Sequence, residues 1–233
     1  MEYLSIDIET YSDKDLIKGG VYSYVDSANF EILLFGYAFD DEEVKIIDLK
    51  SGEKLPKKVL AALNDNTIIK TAYNANFERT CISKHFDIEL NYESWICTMV
   101  WGLSIGLPAG LDNVAKILNL DEQKDAKGKN LIKYFSIPCK PTKVNGGRTR
   151  NLPEHDTEKW QTFKEYCIQD VEVERDLRKY LSNFEMPESE KVLWLLDQKI
   201  NDNGVKVDTK FIEKVLLIDE LSTNRNKDRL RKI

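Results

Sequence analysis

The order of strand-like and helix-like segments constrains the fold of this chain more than any other feature. The first 72 residues contain four short segments rich in β-branched and aromatic residues, and apolar residues after them recur at helical spacing. The predicted strands are Leu4–Thr10, Ile32–Phe39, Val44–Leu49 and Thr67–Ala72. Strands followed mainly by helices predict an α/β fold in which a mixed sheet is flanked by helices. We expect the first strand to lie in the centre of that sheet.

The second and third predicted strands are joined by the acidic turn at residues 40–43, which favours an antiparallel hairpin. Beyond the strands, the apolar spacing predicts helices from about Phe77 to Phe86 and over Thr98–Ile105, Leu111–Leu118, Gly128–Phe135 and Thr157–Leu181. Asp156 is the expected N-cap of the last of these. Three prolines and two glycines within Pro138–Pro153 predict a loop.

The apolar pattern lapses around Ser182–Glu188, and Pro187 interrupts helical spacing there. We therefore predict a first domain at residues 1–183 and a short, mostly helical extension at 184–233. The extension should contain a helix, a short strand and a second helix, at Glu188–Ile200, at Val205–Val207 and from Asp208. It is too short to form a core of its own, so we expect it to pack on the first domain or on a part of the protein outside this sequence.

The charge balance limits the kinds of nucleic-acid binding that this chain can perform. A formal net charge of −6 argues against gripping long duplex DNA, because such proteins need an excess of Lys and Arg against the phosphates. It does not exclude an enzyme that handles a few nucleotides at a strand end with bound metal ions supplying the positive charge. The two histidines leave little material for catalysis or metal binding through imidazole.

Nothing in the sequence suggests export or a membrane. The longest apolar run, around Phe30–Phe39, is too short to span a bilayer, and the N-terminus has no signal-peptide pattern. The four cysteines are scattered, with no Cys-x-x-Cys pair, and predict free thiols in a reducing cytoplasm.

Two carboxylates on the first predicted strand are the first candidates for chemistry. Asp7 and Glu9 are two residues apart, so their side chains point to the same face of the sheet. On the buried side of a central strand they would need a partner, since unpaired buried charge is costly, and metal cations would serve. The alternative is an edge strand with one wet, polar face. Asp-x-Glu occurs six times in the chain, so the pattern alone is uninformative.

Two later segments carry further candidates. Tyr166 and Asp170 are four residues apart, so they share one face of the long predicted helix, within its apolar stripe. An aspartate there is anomalous unless it is ligated, although the pair could instead lie at the edge of the stripe. Asn74 and Glu78 fall at a strand-to-helix turn, where the alternative is an ordinary helix cap with an acidic first turn.

These segments, in this order, resemble the DEDD superfamily of 3′–5′ exonucleases, specifically the proofreading domain of family A (polymerase I-like) DNA polymerases of phage and prophage. The three motifs stand here as Ser5-Ile-Asp7-Ile-Glu9-Thr10, Asn74-Ala-Asn-Phe77-Glu78 and Tyr166-Cys-Ile-Gln-Asp170. The histidine subclass would carry His at the position of Glu165, so the resemblance is to the tyrosine subclass. It implies a ribonuclease H-like fold over about residues 1–181, and residues 196–208 resemble the opening of the polymerase portion.

The resemblance implies a two-metal site for hydrolysing phosphodiesters. Asp7 would bridge two Mg²⁺ or Mn²⁺ ions, Glu9 and Asp170 would complete the first, and Glu78 would hold the second. Tyr166 would orient the attacking water. Glu78 departs from the aspartate usual in the superfamily, which puts the affinity for the second ion in question. Implied substrate contacts are Thr10, Tyr11, Asn74 and Phe77, and the alternative for Thr10 and Tyr11 is ordinary packing at the end of the strand.

The expected function is therefore removal of nucleotides from DNA 3′ ends, of the proofreading type, without polymerase activity in this chain. The expected partners are a single-stranded DNA 3′ end and a polymerase domain or protein, and the expected location is the cytoplasm of a bacterium or a phage-infected host. Two alternatives remain open. One is a catalytically weak module that binds DNA or a polymerase, and the other is an RNase D-like exoribonuclease. The basic loop Lys140–Arg150 is either a track for single-stranded phosphates or solvated surface charge.

Overall fold

The computed structural model describes residues 2–120 and 128–232, apart from the side chain of Lys129. Two compact units are present, Met1–Leu195 and Leu196–Ile233. The division between residues 183 and 184 that we expect from the sequence stays a prediction.

Within the described residues, the first unit contains a mixed five-stranded sheet. Its strands are β1 (Tyr3–Tyr11), β2 (Glu31–Phe39), β3 (Lys45–Asp48), β4 (Ile69–Ala72) and β5 (Trp95–Cys97). The order is β3-β2-β1-β4-β5, with β1 antiparallel to β2 and parallel to β4. The central position of the first strand and the antiparallel hairpin of β2 and β3 are thus confirmed.

Helices flank this sheet, so the predicted fold class is confirmed. The helices of the described residues are α1 (Leu16–Val25), α2 (Lys57–Asn64), α3 (Ala75–Phe86), α4 (Thr98–Ser104), α5 (Leu111–Leu118), α6 (Gly128–Phe135), α7 (Thr157–Leu181), α8 (Glu188–Asn203) and α9 (Thr209–Leu230). The N-cap of α7 is Asp156, whose side chain accepts a hydrogen bond from the backbone N–H of Lys159.

The two faces of β1 differ in chemistry, and this difference positions the site. Leu4, Ile6 and Ile8 are buried in a core that also contains apolar residues of α1, α2 and α3. The alternate residues of β1 point to the opposite face, where the Cys167 thiol of α7 meets Asp7. Burial of each large aliphatic side chain contributes about 1.5–3 kcal/mol, so the apolar face anchors β1. The polar face of β1 lies beneath α7.

One predicted element is wrong, and three elements of the structure were not predicted. The predicted strand at Val205–Val207 is wrong: these residues are not in a strand, and no strand lies in the described part of their unit to pair with them. The elements α1, α2 and β5 were not predicted.

None of the α9 residues is buried. Within residues 2–120 and 128–232, no helix combines the length and the apolar composition that a membrane span requires.

Candidate active site

Three carboxylates meet where α7 crosses the polar face of β1. Asp7 and Glu9 come from β1, and Asp170 comes from the middle of α7. One oxygen of each lies within 4.8 Å of one of each of the others. Glu9 and Asp170 are buried, at 6% and 5% exposure. Three acidic groups this close repel one another unless a cation lies between them, and carboxylate oxygens are the ligands of hard divalent ions such as Mg²⁺ and Mn²⁺.

Glu78, in the first turn of α3, is a fourth buried acid beside this cluster. Burial, followed by the nearby charge of Asp7, raises the pKa of the Glu78 carboxyl well above its usual range. Its Oε2 atom has no hydrogen-bond partner among the described residues. A buried carboxylate oxygen without a partner is costly, and a bound cation would remove that cost. The chain's own residues therefore fit a divalent metal centre.

The structure thus brings together three of the four predicted metal ligands at the 4.8 Å spacing, and Glu78 is not part of that group of three. All four nevertheless line one cavity of about 750 Å³. Glu78 enters it from α3 and the others enter from β1 and α7.

Tyr166 lies one turn before Asp170 on α7 and lines the same cavity. Its side chain is only 7% exposed. A Cβ atom added to Gly128, the first residue of α6, would lie 1.9 Å from Cε2 of the Tyr166 ring. Only glycine therefore permits this approach of α6, and the contact confines the ring.

Three of the four predicted substrate contacts line the cavity, namely Thr10, Asn74 and Phe77. Asn74 adopts the left-handed conformation (φ 79°) and its side chain makes no capping hydrogen bond to α3. Asn74 therefore occupies the N-cap position of α3 without the side-chain hydrogen bond that the capping alternative implies. The Thr10 hydroxyl is 2.9 Å from that of Tyr24, which holds it at the cavity wall.

Tyr11, the fourth, is not among the cavity-lining residues of the described chain. It is 5% exposed and packs with α6 and α7, and the Arg150 guanidinium lies 3.5 Å from its ring centroid. Tyr11 thus binds the base of the loop at residues 138–153 to β1.

The basic residues of this loop divide into two pairs. Arg150 forms an ion pair with Glu31, and the Nε atom of Arg148 donates to Asn151 at 2.8 Å. Lys140 and Lys143 are exposed. Half of the loop's positive charge is therefore engaged in holding its conformation.

Several cavity residues were missed from the sequence. They include Lys14, Leu16 and Ile17 near the start of α1, Tyr73 before α3, and Ile137 and Pro138 at the start of the loop. Ile17 is 96% exposed, so the cavity is bordered by an apolar side chain that packs on little else. The available signal was the apolar pair Leu16-Ile17, which comes after a mostly polar stretch of five residues that follows the first motif.

Comparison with known proteins identifies the family of this chain. The family model RNase_H_2, of the RNase_H superfamily, matches residues 6–182. A DNA polymerase of Bacillus phage SP02 is 60% identical over 220 residues, covering 94% of this chain and 34% of the polymerase. The chain therefore spans about a third of the length of that relative.

Solved structures share the fold. Brucella melitensis NrnC with bound Mg²⁺ superposes with a TM-score of 0.53 at 14% identity, covering 84% of this chain and 80% of that one. Trypanosoma brucei RNase D in complex with RNA U12 gives a TM-score of 0.51 at 19% identity, covering 79% of this chain and 57% of that one. At these identities the likeness concerns the fold alone.

Proposed function

The chain belongs to the RNase H superfamily, and from this premise we propose that it is a metal-dependent 3′–5′ exonuclease that removes nucleotides from the 3′ ends of DNA. The observation that carries the proposal is the cluster of Asp7, Glu9 and Asp170, with carboxylate oxygens within 4.8 Å of one another in the wall of an open cavity. Glu78 lines that cavity with an oxygen that lacks a partner in the described chain.

In this proposal the four carboxylates hold two divalent ions, Mg²⁺ or Mn²⁺. Asp7 would contribute to holding both ions, Glu9 and Asp170 would help to hold one, and Glu78 would help to hold the other. When bound, such ions activate water and stabilise charge on the phosphate that is attacked. The protein's task is to place its acids and to orient the water.

Tyr166 is the group that we assign to orienting the water. Its ring is confined by Gly128, and the residue lines the cavity one turn of α7 from Asp170. A phenol hydroxyl both donates and accepts hydrogen bonds, so it can fix the direction of a water lone pair. The thiol of Cys167 is unsuited as a nucleophile, because burial and the surrounding acids raise its pKa well above the usual range.

The preference for DNA and a role in proofreading are supported by the phage DNA polymerase that is 60% identical to this chain. We accordingly propose a single-stranded DNA 3′ end as substrate and a polymerase portion, in the same or another chain, as partner. RNA remains the second candidate substrate, since the RNase D that shares the fold was solved with RNA.

The test is a digestion series. Single-stranded DNA, matched duplex and single-stranded RNA, each labelled at the 5′ end, are incubated with Mg²⁺, Mn²⁺ or EDTA. We expect a ladder that shortens from the 3′ end of single-stranded DNA only with metal, and none with a folded Asp7→Ala variant. Metal-dependent activity retained in that variant would overturn the site, and preferential digestion of RNA would overturn the substrate. No digestion with any metal would favour a binding module.

A further inference from the structure

A buried polar cluster lies directly beside the acidic site and is not used in the chemistry above. Its centre is Glu174 on α7, which is 1% exposed. The Thr71 hydroxyl of β4 donates to Glu174 Oε2 at 3.3 Å, and the hydroxyls of Ser5 and Thr98 also face this carboxylate. All three hydroxyl-bearing residues are at most 1% exposed. Four elements, β1, β4, α4 and α7, therefore meet at one buried acid.

The placement of this cluster repeats that of the acidic site. Ser5 precedes Asp7 by two residues, so both project from the same face of β1. Glu174 follows Asp170 by four residues, so both project from the same face of α7. Ser5 and Glu174 thus lie between the same two elements as Asp7 and Asp170. They are displaced from these acids by two residues along β1 and by four residues along α7.

The cluster is tied to the sheet as well as to the helix. Ser5 and Thr71 are register partners in the parallel pair of β1 and β4, and their hydroxyls are 3.0 Å apart. The Thr98 hydroxyl donates to the backbone carbonyl of Ala72 at 3.2 Å. Arg178, one turn beyond Glu174, supplies a positive charge that favours its ionised form. A rotation or slide of α7 would break the hydrogen bond from Thr71 to Glu174, because hydrogen bonds are directional.

We propose that Glu174 is a positioning residue, which sets the rotation and height of α7 over β1 and thereby the spacing of Asp170 from Asp7 and Glu9. The proposal rests on the proposed function for its consequence in catalysis. It also predicts that replacing Glu174 changes the affinity of the site for divalent ions, and this affinity can be measured without substrate.

The test compares Glu174→Leu and Glu174→Gln with a matched control, Glu172→Gln, on the same helix. Glu172 forms an ion pair with Arg175 and is not part of the cluster. Removing Glu174 leaves the hydroxyls of Ser5 and Thr71 bonded to each other and that of Thr98 bonded to Ala72, so the leucine variant is expected to fold. Mn²⁺ affinity is measured by isothermal titration calorimetry at a temperature where circular dichroism shows each variant folded.

We expect the Mn²⁺ affinity of the leucine variant to fall by about 10- to 100-fold, as found when groups that orient metal ligands are removed. The glutamine variant should lose less, and the control should match the native protein. kcat should fall with the affinity, at unchanged KM for the strand. Ser5→Ala should act in the same direction and should not add fully to Glu174→Gln, because the two residues share one contact.

A folded leucine variant with native Mn²⁺ affinity would overturn the proposal, and if that variant does not fold, native affinity in the glutamine variant overturns it. A native protein that binds Mn²⁺ but hydrolyses no nucleic acid overturns the proposed function and leaves the role of Glu174 measurable. A native protein that binds no Mn²⁺ overturns both.

Discussion

The Sγ atom of Cys167 on α7 lies 3.6 Å from Oδ2 of Asp7 on β1. This close approach depends on the neighbouring strand, where Gly36 is the register partner of Asp7. A Cβ atom at Gly36 would lie 2.9 Å from Val171 Cγ2 and 3.0 Å from Cys167 Sγ. The absence of a side chain on β2 thus lets α7 descend onto the strand that carries the acids.

Gly36→Ala should therefore destabilise the protein by about 1–3 kcal/mol, because the extra methyl group overpacks the contact between α7 and the sheet. Chemical denaturation measures this loss. Nuclease activity should fall further than the folded fraction, since the methyl group also lifts α7 from Asp7. Gly52→Ala is a control for substitution at glycine away from α7, although its positive φ of 94° gives it a strain of its own. A Gly36→Ala protein as stable and active as the native one would contradict this account.

Tyr166→Phe should lower kcat by about 100-fold or more while divalent-ion affinity stays native. The change removes the hydroxyl that orients the water and leaves all four carboxylates in place. Activity assays paired with calorimetry of Mn²⁺ binding separate the two effects. Loss of ion binding in this variant would instead make Tyr166 a structural residue of the site.

Gly128→Ala tests whether the close approach of α6 to the Tyr166 ring is needed for activity. The new Cβ would fall 1.9 Å from the Tyr166 ring, so the ring or the start of α6 must move. We expect reduced kcat with native ion affinity, as for Tyr166→Phe, and no further loss when the two changes are combined. Full activity in Gly128→Ala would show that the ring need not be confined.

Glu78→Gln should stabilise the protein in EDTA and abolish binding of one of the two ions. Without metal, the native fold carries the cost of either ionising or protonating a buried carboxyl close to Asp7, and the neutral amide removes that cost. Each kcal/mol gained should raise the Tm by about 2–4 °C in a chain of this size. Titration with Mn²⁺ counts the ions. A variant that is less stable in EDTA and still binds two ions would contradict the role given to Glu78.

The pH dependence of stability should report on Glu174. Burial raises the pKa of its carboxyl to about 7 against an ordinary value of 4.5. Between these values the folded protein holds a proton that the unfolded chain has released. Stability therefore falls as pH rises from 4.5 to 7, by about 3 kcal/mol from this group. Denaturation in EDTA across this range should show a smaller fall for Glu174→Gln. An identical slope in the variant would place the effect elsewhere.

The elements that were predicted well are those whose signal is local. The bounds of α7 follow from the Asp156 cap and a long apolar stripe, and the bounds of α5 and α6 likewise match their helical spacing. The site residues were proposed from a resemblance to a family, since the patterns Asp-x-Glu and Tyr-x-x-x-Asp each recur in this chain. The structure adds the spacing of three acids, and it places Glu78 beside that group.

The elements that were missed have three different causes. β5 has three residues and exists because it pairs with β4. α1 contains Gly19 and Gly20, and Gly20 has a left-handed φ of 70°, so its helical signal is weak. For α2 the signal was present, since Val59, Ala62 and Leu63 recur at helical spacing after Pro56. The wrongly predicted strand at Val205–Val207 has suitable residues but no partner strand in the described part of its unit.

The contact between Asp7 and Cys167 joins residues 160 positions apart in the chain. β1 is made before α7 during synthesis, so its acids gain their α7 neighbours only after α7 has also been made. Long-range pairings of this kind form late, because the chain loses the entropy of closing a long loop before the contact stabilises it. A nascent chain that lacks α7 therefore holds Asp7, Glu9 and Glu78 without Asp170, and the appearance of activity would time the docking of α7 on the sheet.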